Sequence, residues 1–575
     1  MQLLFQVLLF LLAAVPCGIP FRYNPNPVFP SELAAVGFSV LLIMAGSVLP
    51  SREGKSSPPW SALIWLGMAV VILIQCVALP VPYWSERTTP IVYFVTAGLL
   101  VWSLARARDV FGYEPLLTAF ALGLLTGALF NTGVAMPQVI HVLKVGEGLV
   151  FGNIGQKNMY GHYLAWGMAA ACWLAAERKL PMWLFGVLMA WLALSLAWCG
   201  SRSPFMYGLA WLGFGALLTM TGKNTKRFGI LLVVSALLIF AMQFIAPLIS
   251  DVLQHALGAK NDVPTGLARL DSNGSRRLVE WHKAWLAFMD NPVFGVGWSA
   301  YGAQSILYQV RPEFARVSES VLFTHAHNSL LNLMAETGVI GTAVVVIGLL
   351  WAVAGVWKRR DNGVAMLGTA MVIVSILHSL VEYPLWYAHL FLPFVLMLYL
   401  VRDDEVRIAL PASAVRVVTA AAGLALVLVC VLGGRYYLQL YPILDPSKDA
   451  TQNAANIREL QQLRPNPLVD YYADFALSNY IVPSRQDMAW KLDILDRLNT
   501  VRPYPGQLAD AAVMHALKGQ TALAHTLMRQ AAFAYPESLD YFYQVIADFS
   551  KEPTVQALKP DVDEARKLFK DAHVI

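Results

Sequence analysis

Apolar stretches long enough to cross a lipid bilayer recur in this chain from its first residues to about residue 433. A membrane-spanning α-helix needs about 20 predominantly apolar residues. About 13 such stretches can be recognised. Their centres lie near Leu11, Leu41, Val71, Gly98, Leu122, Met168, Leu188, Gly213, Leu237, Ile347, Val374, Leu392 and Leu426. Only 14% of the residues are charged, against about 25% in soluble globular domains. The sequence therefore predicts an all-α, polytopic membrane helix bundle.

Basic residues in the short loops predict the orientation of these spans. They cluster on alternate loops, which the positive-inside rule assigns to the cytoplasm. The clusters are Arg52/Lys55, Arg106/Arg108, Arg178/Lys179, Lys223/Lys226/Arg227, Lys358/Arg359/Arg360 and Arg402/Arg407. An odd number of spans then puts the amino terminus in the cytoplasm and the carboxy-terminal region outside.

This topology divides the chain into four predicted segments. Residues 1–250 form the amino-terminal transmembrane helices, and residues 251–326 form a large loop on the outer side. Residues 327–434 form the carboxy-terminal transmembrane helices together with the candidate catalytic motif. Residues 435–575 form a helical domain on the outer side, because charged and amide residues become frequent there and apolar spans stop.

The stretch from Gln507 to Pro536 within the last segment predicts a helix–turn–helix. Small residues at Ala512, Ala524 and Ala531 and a turn at Gly519 resemble one tetratricopeptide unit. A helical-repeat surface is typical of partner docking, and packing on the membrane domain is the alternative.

Polar residues from five separate stretches are expected at the outer face. Such residues near membrane depth are costly and usually line a functional site. His327 and Asn328 stand where a long polar loop meets an apolar helix, so the imidazole is a candidate for proton transfer at neutral pH. The alternative is a helix-entry histidine that only caps or hydrogen-bonds locally. His325 is its local competitor.

Several function classes find no support in the sequence. The five cysteines match no zinc framework, and His378 with Glu382 lacks a third metal ligand, so no metal site is predicted. A net charge of +5 without a basic, aromatic-interleaved stripe gives no case for nucleic acid. Phosphate-binding glycine loops in a strand–turn–helix context are also missing, so no nucleotide cofactor is expected.

Four short motifs resemble the bacterial O-antigen ligase and O-oligosaccharyltransferase superfamily (Wzy_C-type). They are Gly152-Asn-Ile-Gly-Gln156, Ser201-Arg-Ser203, Arg277-x-x-x-Trp281 leading to Pro292-Val-Phe-Gly-Val-Gly297, and His327-Asn328 followed by Gly338-x-x-Gly341. The resemblance extends over almost the whole chain. It is strongest to the pilin-type (PglL-like) protein O-oligosaccharyltransferases, which carry an extra carboxy-terminal helical region.

This resemblance implies a bacterial inner membrane, so that the loop of residues 251–326, the site and the domain of residues 435–575 face the periplasm. It also implies a reaction and a role for each motif residue. A preassembled glycan would pass en bloc from undecaprenyl pyrophosphate to a serine or threonine of a pilin-like periplasmic protein, in the membrane and without a cofactor. His327 would be the general base. Arg202 and Arg277, with Arg276 as the neighbouring choice, would bind the pyrophosphate. Gln156, Tyr383 and Asn328 would orient the substrates.

Three other functions stay open. An O-antigen ligase would use the lipid A core as acceptor, and a Wzy-like polymerase would use a second lipid-linked repeat. The carboxy-terminal helical domain argues against both, because neither acceptor needs a protein-docking surface. A non-catalytic lipid-glycan transporter is the weaker alternative, because no clear internal repeat is present.

Overall fold

The computed structural model describes residues 1–50, 54–269, 276–315, 317 and 321–571. Within them the chain consists of helices and loops, with one short antiparallel pairing of β1 (Lys55–Ser56) and β2 (Leu410–Pro411). The predicted helical class is therefore confirmed. Arg52, part of one predicted basic cluster, lies outside the described residues.

The helices fall into an apolar series and a shorter, more polar series. The apolar series is α1 Gln2–Ala14, α2 Phe29–Ser47, α3 Trp60–Ala78, α4 Ser85–Phe111, α5 Tyr113–Val145, α6 Lys157–Ala176, α7 Met182–Trp198, α8 Ser203–Thr221, α9 Lys226–Leu257, α12 Ser329–Val353, α13 Gly363–Ser379, α14 Ala388–Val401 and α15 Ala412–Leu440. The second series is α10 Arg276–Asp290, α11 Tyr301–Gln309, α16 Ala450–Leu463, α17 Asp470–Ser478, α18 Met488–Asn499, α19 Pro505–Leu517, α20 Thr521–Ala534, α21 Leu539–Ala547, α22 Pro553–Gln556 and α23 Lys559–Asp571.

Membrane-length helices dominate the apolar series. In the described part of the chain, 8 helices are long and apolar enough to cross a bilayer: α2, α3, α4, α5, α8, α9, α12 and α15. Shorter apolar helices are formed by α1, α7, α13 and α14. Every predicted centre lies inside an observed helix, but α6, which carries the polar Lys157, Asn158 and His162, is in neither group. The chain is thus a multi-pass membrane protein, and the count of about 13 crossings stays a prediction.

The chain divides into two compact units. Unit 1 comprises Met1–Ala69, Val92–Asn273 and Val344–Gly434. Its helices pack as neighbouring pairs, among them α1 with α5, α8 with α9, and α13 with α14. The division into four segments predicted from the sequence remains a prediction.

Unit 2 comprises Val70–Ile91, Gly274–Ala343 and Arg435–Ile575. Its carboxy-terminal helices form two apolar clusters, one of which includes Ile306 and the other Tyr83. The Tyr83 hydroxyl donates to Asp474 Oδ2 at 2.9 Å, and Arg497 Nη1 lies 2.9 Å from the same oxygen. Because the Asp474 side chain is fully buried, these bonds supply the partners that a buried carboxylate requires.

The predicted helix–turn–helix is present in unit 2 as α19 and α20. Gly519 forms the turn between them with a φ of +84°, a conformation that glycine adopts without steric cost. Ala512, Ala524 and Ala531 are fully buried, which lets the two helices approach closely. The likeness to a tetratricopeptide unit stays a prediction.

Candidate functional site

Gln156 begins α6 at the end of a tightly bonded loop in unit 1. Its side-chain oxygen accepts the backbone N–H of Met159 at 2.7 Å, so Gln156 is the N-cap of the helix. Gln138 Oε1 accepts the N–H groups of Phe151 and Gly152 at 2.9 Å each. Asn131 Oδ1 accepts that of Asn153 at 2.9 Å. These side-chain amides, of which Asn131 is fully buried, fix the backbone that leads to Gln156.

Arg202 occupies the start of α8 and is exposed. The preceding residue, Ser201, is buried and donates its hydroxyl to Asn158 Oδ1 at 2.7 Å. Asn158 in turn donates to Glu382 Oε1 at 2.7 Å. A hydrogen-bonded chain therefore joins three of the predicted stretches of unit 1: the start of α6, the start of α8 and the turn that carries Tyr383.

Tyr383 lies half-buried in the turn between α13 and α14, directly after the buried Glu382. Its ring is 5.8 Å from the ring of Tyr387. Burial raises the pKa of the Tyr383 hydroxyl, a hydrogen bond with Tyr387 opposes that effect, and the Glu382 charge reinforces it. The phenol therefore stays protonated at neutral pH and can donate a hydrogen bond.

His327 lies in unit 2 immediately before Asn328 and α12. Its φ of +51° is in the left-handed region, which non-glycine residues adopt at a cost and often at functional sites. The indole N–H of Trp281 donates to the His327 carbonyl at 3.4 Å. The imidazole meets the Phe323 ring edge to face, with the ring centroids 5.5 Å apart. These contacts thus hold His327 directly before the amino-terminal end of α12.

Asn328 caps the first turn of α12. Its Oδ1 accepts the backbone N–H groups of Leu330 and Leu331, each at 3.1 Å. These N–H groups have no partner within the helix. The side-chain oxygen of Asn328 is therefore engaged in fixing the backbone next to His327.

Arg276 and Arg277 stand in the first turn of α10, also in unit 2. The Arg276 guanidinium pairs with Glu280 at 3.2 Å and lies 5.2 Å from the centroid of Phe323. Phe323 therefore contacts both Arg276 and His327. Arg277 is half-buried beside it.

Glu280 anchors a buried polar network that the sequence did not reveal. It accepts the hydroxyls of Tyr301 and Ser305 at 2.7 and 2.8 Å and lies 3.1 Å from Lys283 Nζ. Burial would raise the pKa of Glu280, but the charges of Lys283 and Arg276 and the two hydroxyls lower it below its ordinary value. Burial lowers the pKa of Lys283 to about 8. The carboxylate stays ionised and orients Arg276.

His325, the competitor of His327, has different surroundings. The Thr324 hydroxyl lies 3.0 Å from its Nδ1. Burial, together with the charges of Arg502 and His327, lowers the pKa of His325 to about 3. His325 is therefore neutral at physiological pH and a weak base.

The seven predicted site residues are thus divided between the units. Gln156, Arg202 and Tyr383 belong to unit 1, and Arg276, Arg277, His327 and Asn328 belong to unit 2. Over the described part of the chain, no group of three or more His, Cys, Asp or Glu side chains could hold a metal ion. The His378–Glu382 pair is engaged otherwise, since His378 Nδ1 lies 2.9 Å from His162 Nδ1 and Glu382 accepts from Asn158.

Asn158 and Arg22 are two polar residues of unit 1 near the predicted site residues that the sequence did not single out. Asn158 directly follows the predicted Gln156–Lys157 pair, so its place in the first turn of α6 was the available signal. Arg22 is the single charge in the Pro- and Asn-rich segment between α1 and α2, and its guanidinium donates to the carbonyl of Asn153.

Three family models match the chain in the regions that carry these residues. Residues 185–346, which include Arg202, Arg277 and His327, match the family described as O-Antigen ligase. Over these residues the chain is similar to the O-antigen ligases. Residues 150–175, which include Gln156, match the model of a protein glycosylation ligase. Residues 364–547 match that of a virulence factor membrane-bound polymerase, C-terminal.

Two proteins of Acinetobacter baylyi are similar to this chain. A general O-oligosaccharyltransferase is 23% identical over 307 residues, which cover 52% of each chain. A ComP-specific O-oligosaccharyltransferase is 24% identical over 243 residues, which cover 42% of each chain. The alignments thus extend over about half the length of these relatives or less.

Proposed function

We propose that the chain is an O-linked oligosaccharyltransferase. It transfers a preassembled glycan en bloc from undecaprenyl pyrophosphate to a serine or threonine of a periplasmic protein such as a type IV pilin. The observation that carries this proposal is the His327–Asn328 pair at the mouth of α12, beside the arginines of α10. Both relatives described above bear the name O-oligosaccharyltransferase.

His327 acts as the general base. It takes the proton of the acceptor hydroxyl while that oxygen attacks the anomeric carbon of the glycan. The bond between this carbon and the pyrophosphate oxygen breaks, and the lipid pyrophosphate leaves with the bonding electrons. No nucleotide is needed, because the donor already carries its leaving group.

The arginines stabilise the charge that develops on the leaving pyrophosphate. The interaction of two cations in the first turn of a helix with the helix dipole is unfavourable. An anion bound to both the helix N-terminus and the arginines would make this arrangement favourable. Arg277 is the main ligand of the pyrophosphate on α10, and Arg276, which pairs with Glu280, is the neighbouring choice. Arg202 contributes a further cation from the start of α8.

The remaining site residues position the reactants. Gln156 and Tyr383 orient the glycan or the acceptor through hydrogen bonds. Asn328 acts through the helix cap, since its oxygen fixes the backbone of the residue that follows His327. Such rigid support is typical of catalytic constellations.

The membrane arrangement follows the prediction from the sequence. About 13 spans cross the bacterial inner membrane, and the site and the carboxy-terminal helices face the periplasm. The helical repeat of α19 and α20 binds the acceptor protein. The polyprenyl chain of the donor lies among the surrounding membrane lipids.

Polymerisation is the second candidate, because residues 364–547 match a membrane-bound polymerase model. A polymerase would extend the lipid-linked glycan instead of modifying a protein. O-antigen ligation to lipid A core is the third possibility, since a ligase model matches residues 185–346.

Co-expression tests these three activities together. A heterologous bacterium receives a lipid-linked glycan, candidate pilins and either the wild-type chain or a matched His327→Ala variant. Intact-mass spectrometry of the pilins should show the glycan mass only with the wild-type chain. Glycan on lipid A core, or a longer lipid-linked glycan with unmodified pilins, would contradict the proposal in favour of ligation or polymerisation.

A further inference from the structure

The Arg22 guanidinium lies directly against the loop that ends at Gln156. It donates to the carbonyl of Asn153. A Cβ atom placed on Gly155 would lie 2.5 Å from the Arg22 Cζ, and Gly155 has a φ of +83°. Glycine at this position therefore allows a guanidinium to approach the backbone of the residue that precedes Gln156.

The segment that holds Arg22 in place is itself well anchored. Asn153, its hydrogen-bond acceptor, donates its side-chain amide to the Gly18 carbonyl at 2.7 Å. Asn131, which accepts the Asn153 N–H, donates to the Cys17 carbonyl at 3.1 Å. The Asn153 end of the contact is thus tied to the backbone just after α1, in the segment that carries Arg22. A guanidinium bonded to such an anchored loop is positioned for binding.

Arg22 makes no ion pair with a carboxylate within the described ranges of the chain. The polar side chains close enough to influence it electrostatically are Cys17, Tyr387 and His389. Burial lowers the pKa of Arg22, and the Cys17 and Tyr387 groups only partly oppose this. A partly buried cation without a counter-charge is unfavourable. A bound anion would relieve this cost.

We propose that Arg22 binds an anionic group of the glycan donor beside Gln156, which rests on the function proposed above. The anion is an oxyanion, either a phosphate of the lipid pyrophosphate or the carboxylate of an acidic sugar. A planar guanidinium suits both, because it forms charge-assisted, bidentate hydrogen bonds with oxyanions. Arg22 is thereby a donor-binding residue in addition to Arg202 and Arg277.

A direct binding measurement tests the phosphate source. The purified full chain in detergent is titrated with inorganic pyrophosphate by calorimetry, alongside Arg22→Gln and Arg22→Lys. Arg22→Gln should weaken binding about 10- to 100-fold, and Arg22→Lys should be intermediate. Arg416→Gln is the matched control, because Arg416 is exposed on α15, and it should bind like the wild type.

Transfer kinetics with two lipid-linked donors, one neutral and one acidic, distinguish the two sources. Arg22→Gln should raise the KM for both donors if Arg22 binds the pyrophosphate. If Arg22 binds a sugar carboxylate, the KM rises for the acidic donor alone and binding of inorganic pyrophosphate stays unchanged. A monodisperse Arg22→Gln protein with normal pyrophosphate binding and normal KM for both donors would overturn the proposal. A fall in kcat alone for Arg22→Gln would also overturn the proposal, because it indicates a positioning role.

The same experiments separate this inference from the proposed function. The wild-type chain could bind pyrophosphate in an Arg22-dependent way and yet transfer no glycan. That result would refute the oligosaccharyltransferase activity and support the anion site. Normal glycan transfer by Arg22→Gln with both donors would refute the anion site and retain the activity.

Discussion

His325 and His327 are separated by one residue and have different chemistry. A base with a pKa of about 3, such as His325, accepts a proton too weakly to serve at neutral pH. His327→Ala should therefore lower the glycan transfer rate about 10²- to 10⁴-fold, the usual effect of removing a general base. His325→Ala should retain most activity. Quantitative mass spectrometry of the acceptor checks both, with membrane insertion measured in parallel. Near-normal transfer by a well-inserted His327→Ala protein would remove His327 from the mechanism.

The lowered pKa of His325 also predicts how stability depends on pH. Unfolding restores its pKa to about 6.5. Below that pH the imidazole of the unfolded state is protonated, whereas that of the folded state stays neutral. This residue therefore costs no stability above pH 6.5 and destabilises the fold progressively as the pH falls toward 3. His325→Gln should reduce the loss of melting temperature on acidification.

The exposed His255 provides the control for this pH dependence. His255→Gln should follow the wild-type profile of melting temperature in detergent between pH 7 and pH 4. An identical acid profile for His325→Gln and the wild type would show that another group is responsible.

The adjacent arginines of α10 make different contacts. Arg276 pairs with the buried Glu280, so its loss should affect folding as well as turnover. Arg277→Lys preserves the charge but loses the planar fork. We expect it to reduce transfer from a lipid-linked donor with little change in melting temperature. Arg227→Lys, at the start of α9, is the matched control and should be neutral. Full activity of Arg277→Lys would exclude a bidentate phosphate contact.

At the scale of elements, α12 contains a break that shapes its amino-terminal part. Gly338 has a φ of +61° and a ψ of −161°, a region open almost only to glycine. A Cβ there would collide with the carbonyl of Val293. The break lets the backbone of Val296 and Gly297 donate to the carbonyls of Ala335 and Glu336 at 2.8 and 3.1 Å. The Pro292–Gly297 motif is thereby bonded to the helix that begins beside His327.

Gly338→Ala should accordingly destabilise the fold by about 1–3 kcal/mol from backbone strain alone. Thermal unfolding in detergent measures this effect, and transfer should fall as the start of α12 shifts. Gly213→Ala on α8 is the control, since an added Cβ there meets nothing within 4 Å. The control should be neutral or slightly stabilising. Equal melting temperatures for the two variants would mean that the break at Gly338 is dispensable.

At the scale of the whole molecule, the carboxy-terminal helices are predicted to select the acceptor. Docking would raise the effective concentration of the acceptor near the reaction. The helices from Asp449 onward form continuous clusters in which α20 packs with α23. An exchange with a related enzyme should therefore run from residue 449 to the end of the chain rather than stop at Pro536. It should also retain Asp474 and Arg497, which bind the Tyr83 segment.

Such a chimera should change which protein is glycosylated while using the same donor. Mass spectrometry of two competing pilins in one cell measures the preference, and the chimera with His327→Ala gives the background. An unchanged preference in a stably inserted chimera would assign acceptor selection to the loop between Asp251 and Thr324 instead.

Local sequence patterns were sufficient for the class of fold and for the helix starts near which several of the predicted site residues lie. Apolar length alone predicts membrane helices, because the bilayer forces backbone groups to bond within each segment. Every predicted centre, from Leu11 to Leu426, lies in an observed helix. The turn at Gly519 and the start of a helix after His327 could also be predicted, since both depend on neighbouring residues. The number of membrane crossings could not be predicted, because its length and its polar residues leave it open whether α6 crosses the bilayer.

Contacts between residues distant in sequence were decided only by the tertiary structure. Asn158 joins Ser201 to Glu382 across 43 and 224 residues, and Arg22 reaches Asn153 across 131. No periodicity or motif encodes such pairs. The low pKa of His325 likewise depends on burial and on Arg502, far along the chain. The sequence determined which residues could act chemically and where helices form. Packing determined which polar groups meet, because desolvation and hydrogen bonding depend on neighbours that only the folded chain supplies.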